Sequence, residues 1–127
     1  PNPPAAGSEP IAIPTDDPWF AIHLAGAFEA SDGVGESPHT VVAHAEGWDK
    51  ISPGPFLSDW GGVPPSFESS PPSLLFKLEI DLRARTVTRT RCMPEQPYYL
   101  KHSHVHPDFE GKPQCRYVYA SYGNDNT

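Results

Sequence analysis

Six histidines are the residues of this chain best suited to chemistry, and two groups of them have informative surroundings. His23 stands in the run Pro18-Trp19-Phe20-Ala21-Ile22-His23-Leu24-Ala25-Gly26-Ala27-Phe28-Glu29. An aromatic, apolar stretch leads into the imidazole, and a small-residue turn and an acid follow it. A neutral imidazole is a common transition-metal ligand. A single His on an apolar strand is more often a core or turn residue. The second group is His102-Ser103-His104-Val105-His106. Alternate residues of a strand share a face, so three imidazoles there would project together. Three such donors could hold Zn(II), Cu(II) or Ni(II) with one position open. A strand spaces alternate side chains by about 6.6–7 Å, which opposes convergence on one ion, and Pro107 suggests a loop. A solvated His-rich loop is the simpler expectation.

The other candidates are weaker. His39 and His44 flank a strand, show no partner spacing and are expected to be structural. Asp16-Asp17 precedes Pro18 and suits turn chemistry better than a catalytic pair. No Gly-rich phosphate loop, nucleophile elbow or Cys-x-x-Cys motif occurs. Cys92 and Cys115 are too few for a disulfide scaffold, and sequence alone leaves their pairing open.

The elements that must position these residues are short. The chain has 127 residues, enough for one modest core. Its 17 prolines far exceed the average usage of about 5% and disfavour helix interiors and central strands. A net charge of −7 argues against nucleic acid, whose phosphates need a basic stripe. The basic residues between Lys77 and Arg91 alternate with Glu79 and Asp81 and suggest a solvated strand face. No signal-peptide pattern opens the chain, and no apolar run approaches the roughly 18 residues of a transmembrane segment. A soluble, cytoplasmic protein is the default expectation.

Residues 1–17 suggest a Pro-rich arm or linker, residues 18–122 the folded part, and residues 123–127 a tail. Strands are expected at 19–24 and 40–45, separated by a turn-rich segment at 31–38 and paired antiparallel. Residues 47–72 lose periodicity, although Trp48, Phe56, Leu57, Trp60 and Phe67 suggest packing on something. The clearest pattern follows. Leu74, Phe76, Leu78, Ile80 and Leu82 alternate with Leu75, Lys77, Glu79 and Asp81, as in a half-buried strand. Residues 85–92 alternate in the same way, and Arg83-Ala84 predicts a tight hairpin between the two. Residues 94–113 suggest loop, and 115–122 an aromatic closing strand. Five short strands without a helix make an all-β unit of the kind stacked in propeller blades.

Three segments, in the same order, resemble the carotenoid cleavage oxygenases. The first is Trp19 through Glu29, similar to the third iron-ligand segment, W-F-x-x-H-x-x-N-A-[WYF]-E. The second is Leu75-Phe76-Lys77-Leu78-Glu79-Ile80-Asp81-Leu82 followed by Thr86-Val87, similar to a blade hairpin of the family. The third is His106-Pro107-Asp108-Phe109-Glu110-Gly111 leading to Arg116-Tyr117-Val118-Tyr119-Ala120, closest to the fungal stilbene- and carotenoid-cleaving branch. The resemblance implies a partial seven-bladed β-propeller of antiparallel hairpins with long Pro-rich loops. It implies Fe(II) held by four histidines from four blades, of which this chain supplies His23. It implies O2 and an apolar polyene or stilbene as the small molecules, with a conjugated C=C bond cleaved to two carbonyls.

Glu29 would be a nearby acid, and Trp19, Phe20 and Phe28 would be candidates for packing near the iron. Two positions depart from the family. Gly26 stands where the family has Asn. Lys101-His102-Ser103 stands where the family has a Glu that holds an imidazole N–H, and a Lys cannot accept that proton. With one ligand of four, the isolated chain is expected to be inactive and to need the remainder of the propeller. Two other functions fit the residues: a non-enzymatic β-rich remnant or interaction module, and a small metal-binding protein using His102, His104 and His106.

Overall fold

Alternation of apolar and polar residues over 74–82 and 86–91 needs a sheet with one covered face, and the chain builds one. A computed structural model describes residues 10–30, 39–49, 72–93 and 99–123. It contains β1 (Phe20–Ala30), β2 (Thr40–Trp48), β3 (Leu74–Asp81), β4 (Thr86–Arg91), β5 (Tyr99–Val105) and β6 (Val118–Gly123), with a short 3-10 turn at Pro107–Phe109. Strands β1 to β4 form one antiparallel meander in chain order, and β5 and β6 form a second, two-stranded antiparallel sheet. The four-stranded meander is the unit from which β-propellers are stacked. The expected turn at 31–38, and Phe56, Leu57, Trp60 and Phe67, lie outside the described residues, as does most of the arm and of the tail.

One face of the meander holds the core. Ala43, Ala45, Leu74, Phe76 and Leu78 are buried together, with Trp19, Ala27, Ile80 and Val87 packed against them. Ala45 lies opposite Phe76, and Ala43 opposite Leu78. Small residues on β2 thus make room for large ones on β3. Trp19 meets the Phe76 ring edge-on at 5.6 Å. The Arg89 guanidinium lies over both rings, 5.4 Å from Trp19 and 5.2 Å from Phe76. This corrects the expected solvated basic face. Alternation puts Val87, Arg89 and Arg91 on the core side, where a long Arg stem covers apolar surface, while Lys77 pairs with Glu79 at the surface.

The β3–β4 hairpin forms as expected, with a longer turn. The Asp81 carboxylate accepts from the N–H groups of Arg83 and Ala84 at 2.8 Å each, an Asx turn that replaces Asn-Gly chemistry. Arg85 closes it with a φ of 54°.

Three expectations are corrected. The small residues Ala25-Gly26-Ala27 do not turn, because β1 continues through them to Ala30. A Cβ on Gly26 would come within 2.9 Å of the Val105 side chain, so the small residue is what lets β5 approach β1. Residues 99–105 are not loop but β5, which makes six strands among the described residues. Residues 115–117 are not part of the closing strand, which begins at Val118. Both cysteines are free thiols.

Candidate metal centre

The face of β2 opposite the core carries Val42, His44, Glu46 and Trp48, and the site lies on this side. In β1 the register runs Ala21 opposite Gly47, then His23 opposite Glu46. One extra residue, Ile22, is therefore bulged out. Continuing the first register without a bulge would place Ile22 opposite Glu46 and His23 opposite Ala45. The bulge instead puts the imidazole on the same face as the acid, as bulges near functional sites often re-aim a side chain. A Cβ at Gly47 would overlap the Phe20 carbonyl oxygen, so the close approach of β1 and β2 at this point requires glycine.

Glu46 is 1% exposed. Its Oε2 accepts from the Ser103 hydroxyl at 2.8 Å and from the Ser103 N–H at 3.2 Å. Its Oε1 faces His23 Nδ1 at 3.5 Å. That Nδ1 is buried and has no hydrogen-bond partner, whereas the His23 side chain as a whole is 37% exposed. The open part of the ring is thus not Nδ1. With the proton on Nδ1 directed at Glu46, the Nε2 lone pair is free to bind an electrophile, the arrangement that orients most metal-bound histidines.

Strand β5 supplies the other half of the site. Lys101 pairs with Ser121, and the next pair is His104 with Tyr119, so β5 is also bulged. His102 sits in that bulge with a φ of 56°, an uncommon backbone for a non-Gly residue. Its neighbour Ser103 is buried against Glu46, and the His102 ring lies 5.3 Å from that of His23, with planes 37° apart. A second buried bond, from the Ser73 hydroxyl to the Leu100 carbonyl at 2.6 Å, ties the two sheets together.

This geometry overturns the three-imidazole cluster. His104 stacks on Tyr119 at 5.8 Å and its Nδ1 lies 3.0 Å from the His102 carbonyl oxygen. His106 accepts from the Asp108 N–H at 3.2 Å and caps the 3-10 turn. The bulge breaks the alternation that would have aligned the three rings. Among the described residues, no group of three or more His, Cys, Asp or Glu is arranged to hold a metal.

The remaining candidates separate by face. Trp19 packs on the core side, away from His23, because it lies against Phe76. Phe20 meets Trp48 at 5.7 Å and Phe28 pairs with Val42, so both share the face of Glu46. Glu29 is exposed, opposite Val41. His44 lies opposite Gly26 and Lys77, and burial, with the Lys77 charge, pushes its pKa below the usual histidine value. Sequence reasoning missed Glu46 and Ser103. The signal for Glu46 was a single acid inside the apolar run of β2. Ser103 carried none.

No family model and no curated protein matches the chain. Solved structures do. Cobalt-substituted apocarotenoid oxygenase from Synechocystis superposes with a TM-score of 0.65 at 24% identity, covering 92% of this chain and 22% of that one. A chimera of that oxygenase with RPE65 superposes with a TM-score of 0.66 at 25% identity, covering 95% of this chain and 22% of the chimera. A Glu-to-Gln mutant of the Synechocystis oxygenase gives 0.65 and 24%, over 91% of this chain and 21% of that one. The chain therefore has the fold of part of a carotenoid cleavage oxygenase and spans about a fifth of the length of the structures it matches. No described helix is long and apolar enough to cross a membrane.

Proposed function

We propose that this chain is a segment of a non-haem Fe(II) oxygenase of the carotenoid-cleaving kind, and that His23 is one of the iron ligands. The observation that carries the reading is the buried, unpartnered Nδ1 of His23 facing the buried Glu46 carboxylate. A neutral imidazole held this way suits Fe(II). Glu46 of β2, anchored by Ser103, takes the place of the acid that the family resemblance puts on the segment 101–103. The role is kept while its source moves to the neighbouring strand.

Bound Fe(II) would supply the capacity to activate O2 for cleavage of a conjugated C=C bond in an apolar carotenoid, apocarotenoid or stilbene. The part of this chain is to present His23 Nε2 while its Nδ1 faces Glu46 Oε1. Phe20 and Phe28 line the same face. The other three imidazoles come from the rest of the propeller, so the 127-residue chain by itself has no turnover.

The test is the intact mass and iron content of the native protein in its source, with and without His23→Ala. A product several-fold heavier than 13.9 kDa that carries iron and loses it in the variant is the expected result. A heavy product that keeps its iron without His23, or a native product near this chain's own mass, overturns the reading.

A further inference from the structure

We propose that His23 and His102 together form a two-imidazole site for a divalent transition ion of the Zn(II) or Co(II) class, built into this chain alone. The proposal shares His23 with the oxygenase reading but does not require the other three imidazoles of that reading. Four observations carry it. The two rings are adjacent, with centres 5.3 Å and planes 37° apart. An ion about 2.1 Å from an imidazole nitrogen lies about 3.2 Å from the ring centre, so two imidazoles at a tetrahedral angle have centres about 5.2 Å apart. The observed separation matches the spacing such an ion needs. His102 holds this position from a left-handed backbone conformation in a bulge. Strain of this kind costs of order 1–3 kcal/mol and concentrates at functional sites.

The third observation is Glu46. It has one oxygen on Ser103 and the other toward His23 Nδ1. It orients His23 and leaves Nε2 to the ion. The fourth is access. The His102 side chain is exposed and His23 is partly so, which leaves room for water to complete the coordination. Imidazole donors with an open position suit Zn(II) and Co(II).

Serine at 103 and histidine at 102 thus divide the work of one short segment. Ser103 anchors the acid that orients His23, and His102 adds a second donor beside it. This function for His102 does not depend on His104 or His106, whose rings are engaged elsewhere.

The experiment titrates the untagged 127-residue chain with Co(II), following the visible ligand-field absorption, and repeats the titration with Zn(II) by calorimetry. The expected result is one ion per chain. His23→Ala and His102→Asn each weaken binding by more than about tenfold, while Glu46→Gln weakens it by about 10–100-fold as the loss of an orienting partner. Asn is chosen at 102 because it tolerates the left-handed backbone, so the bulge survives, and circular dichroism of each variant checks the fold. His104→Ala and His106→Ala leave binding unchanged. Undiminished binding in His102→Asn overturns the pair while leaving His23 as a ligand. Absence of binding by the parent chain overturns the pair without touching a four-histidine iron site. Loss of binding in His104→Ala or His106→Ala overturns it in favour of the neighbouring histidines.

Discussion

His23 Nδ1 and Glu46 Oε1 face each other at 3.5 Å across β1 and β2, and they do so because Ile22 is bulged out of the ladder. The acid would otherwise oppose Ile22. It is held from the far side by the Ser103 hydroxyl and N–H, so three strands converge on one carboxylate. Removing that carboxylate tests how much the site contributes to the fold.

Glu46→Ala leaves the buried Ser103 donors without an acceptor. Such unpaired groups cost about 1–3 kcal/mol each, so urea denaturation should show a loss of that order. Glu46→Gln keeps an acceptor and should lose less. Equal stability of Glu46→Ala and the parent would show that the carboxylate does not tie β5 to β2.

Gly26→Ala drives a methyl group into Val105. Overpacking of this kind costs about 1–3 kcal/mol. Val105→Ala in the same chain should recover most of the loss, since the two side chains share one space. A double-mutant cycle by chemical denaturation measures the coupling, and additive effects would mean that β1 and β5 do not meet at this point.

Phe76 is 1% exposed and carries contacts from Trp19 and Arg89. Phe76→Ala should cost about 3–5 kcal/mol. It should also move the Trp19 fluorescence, because the ring that Trp19 meets edge-on is gone. An unchanged emission spectrum in a folded variant would contradict that packing.

Asp81 gives a pH dependence with a definite sign. The Ala84 N–H first, and then the Arg83 N–H and the His39 and Arg83 charges, hold its carboxyl below the usual aspartate value, outweighing the opposing desolvation. A group with a lowered folded-state pKa contributes stability above its unfolded value and loses it as pH falls through the folded one. The denaturation midpoint should therefore drop on acidification through and below the ordinary carboxylate range. Asp81→Ala should flatten that part of the curve. A variant with the parent's full acid sensitivity would remove Asp81 from the account.

Much of the fold was legible from residue order. The all-β class followed from prolines and alternation, and the β3–β4 hairpin was readable because Leu74, Phe76 and Leu78 repeat every second residue, the period of a half-buried strand. The resemblance carried by three short motifs agrees with the superposition on apocarotenoid oxygenases. Strand β5 was not legible, because two histidines, a lysine and a serine interrupt its apolar pattern. Its partners are Tyr122, Ser121 and Tyr119 on a strand some twenty residues later.

The candidate site divides along the same line. Sequence alone determined that His23 lies in an apolar strand and that His102, His104 and His106 are closely spaced. Tertiary structure decided that His23 faces Glu46, that Ser103 anchors the acid, and that His102 leaves its neighbours to stand beside His23. The physical reason is the bulge. Alternation is a local rule with a period of two residues; one extra residue inverts the facing of the positions after it, until a second irregularity between Leu24 and Gly26 restores it. Which residue is extra is settled by the partner strand, here through Gly47 against Phe20 and Gly26 against Val105.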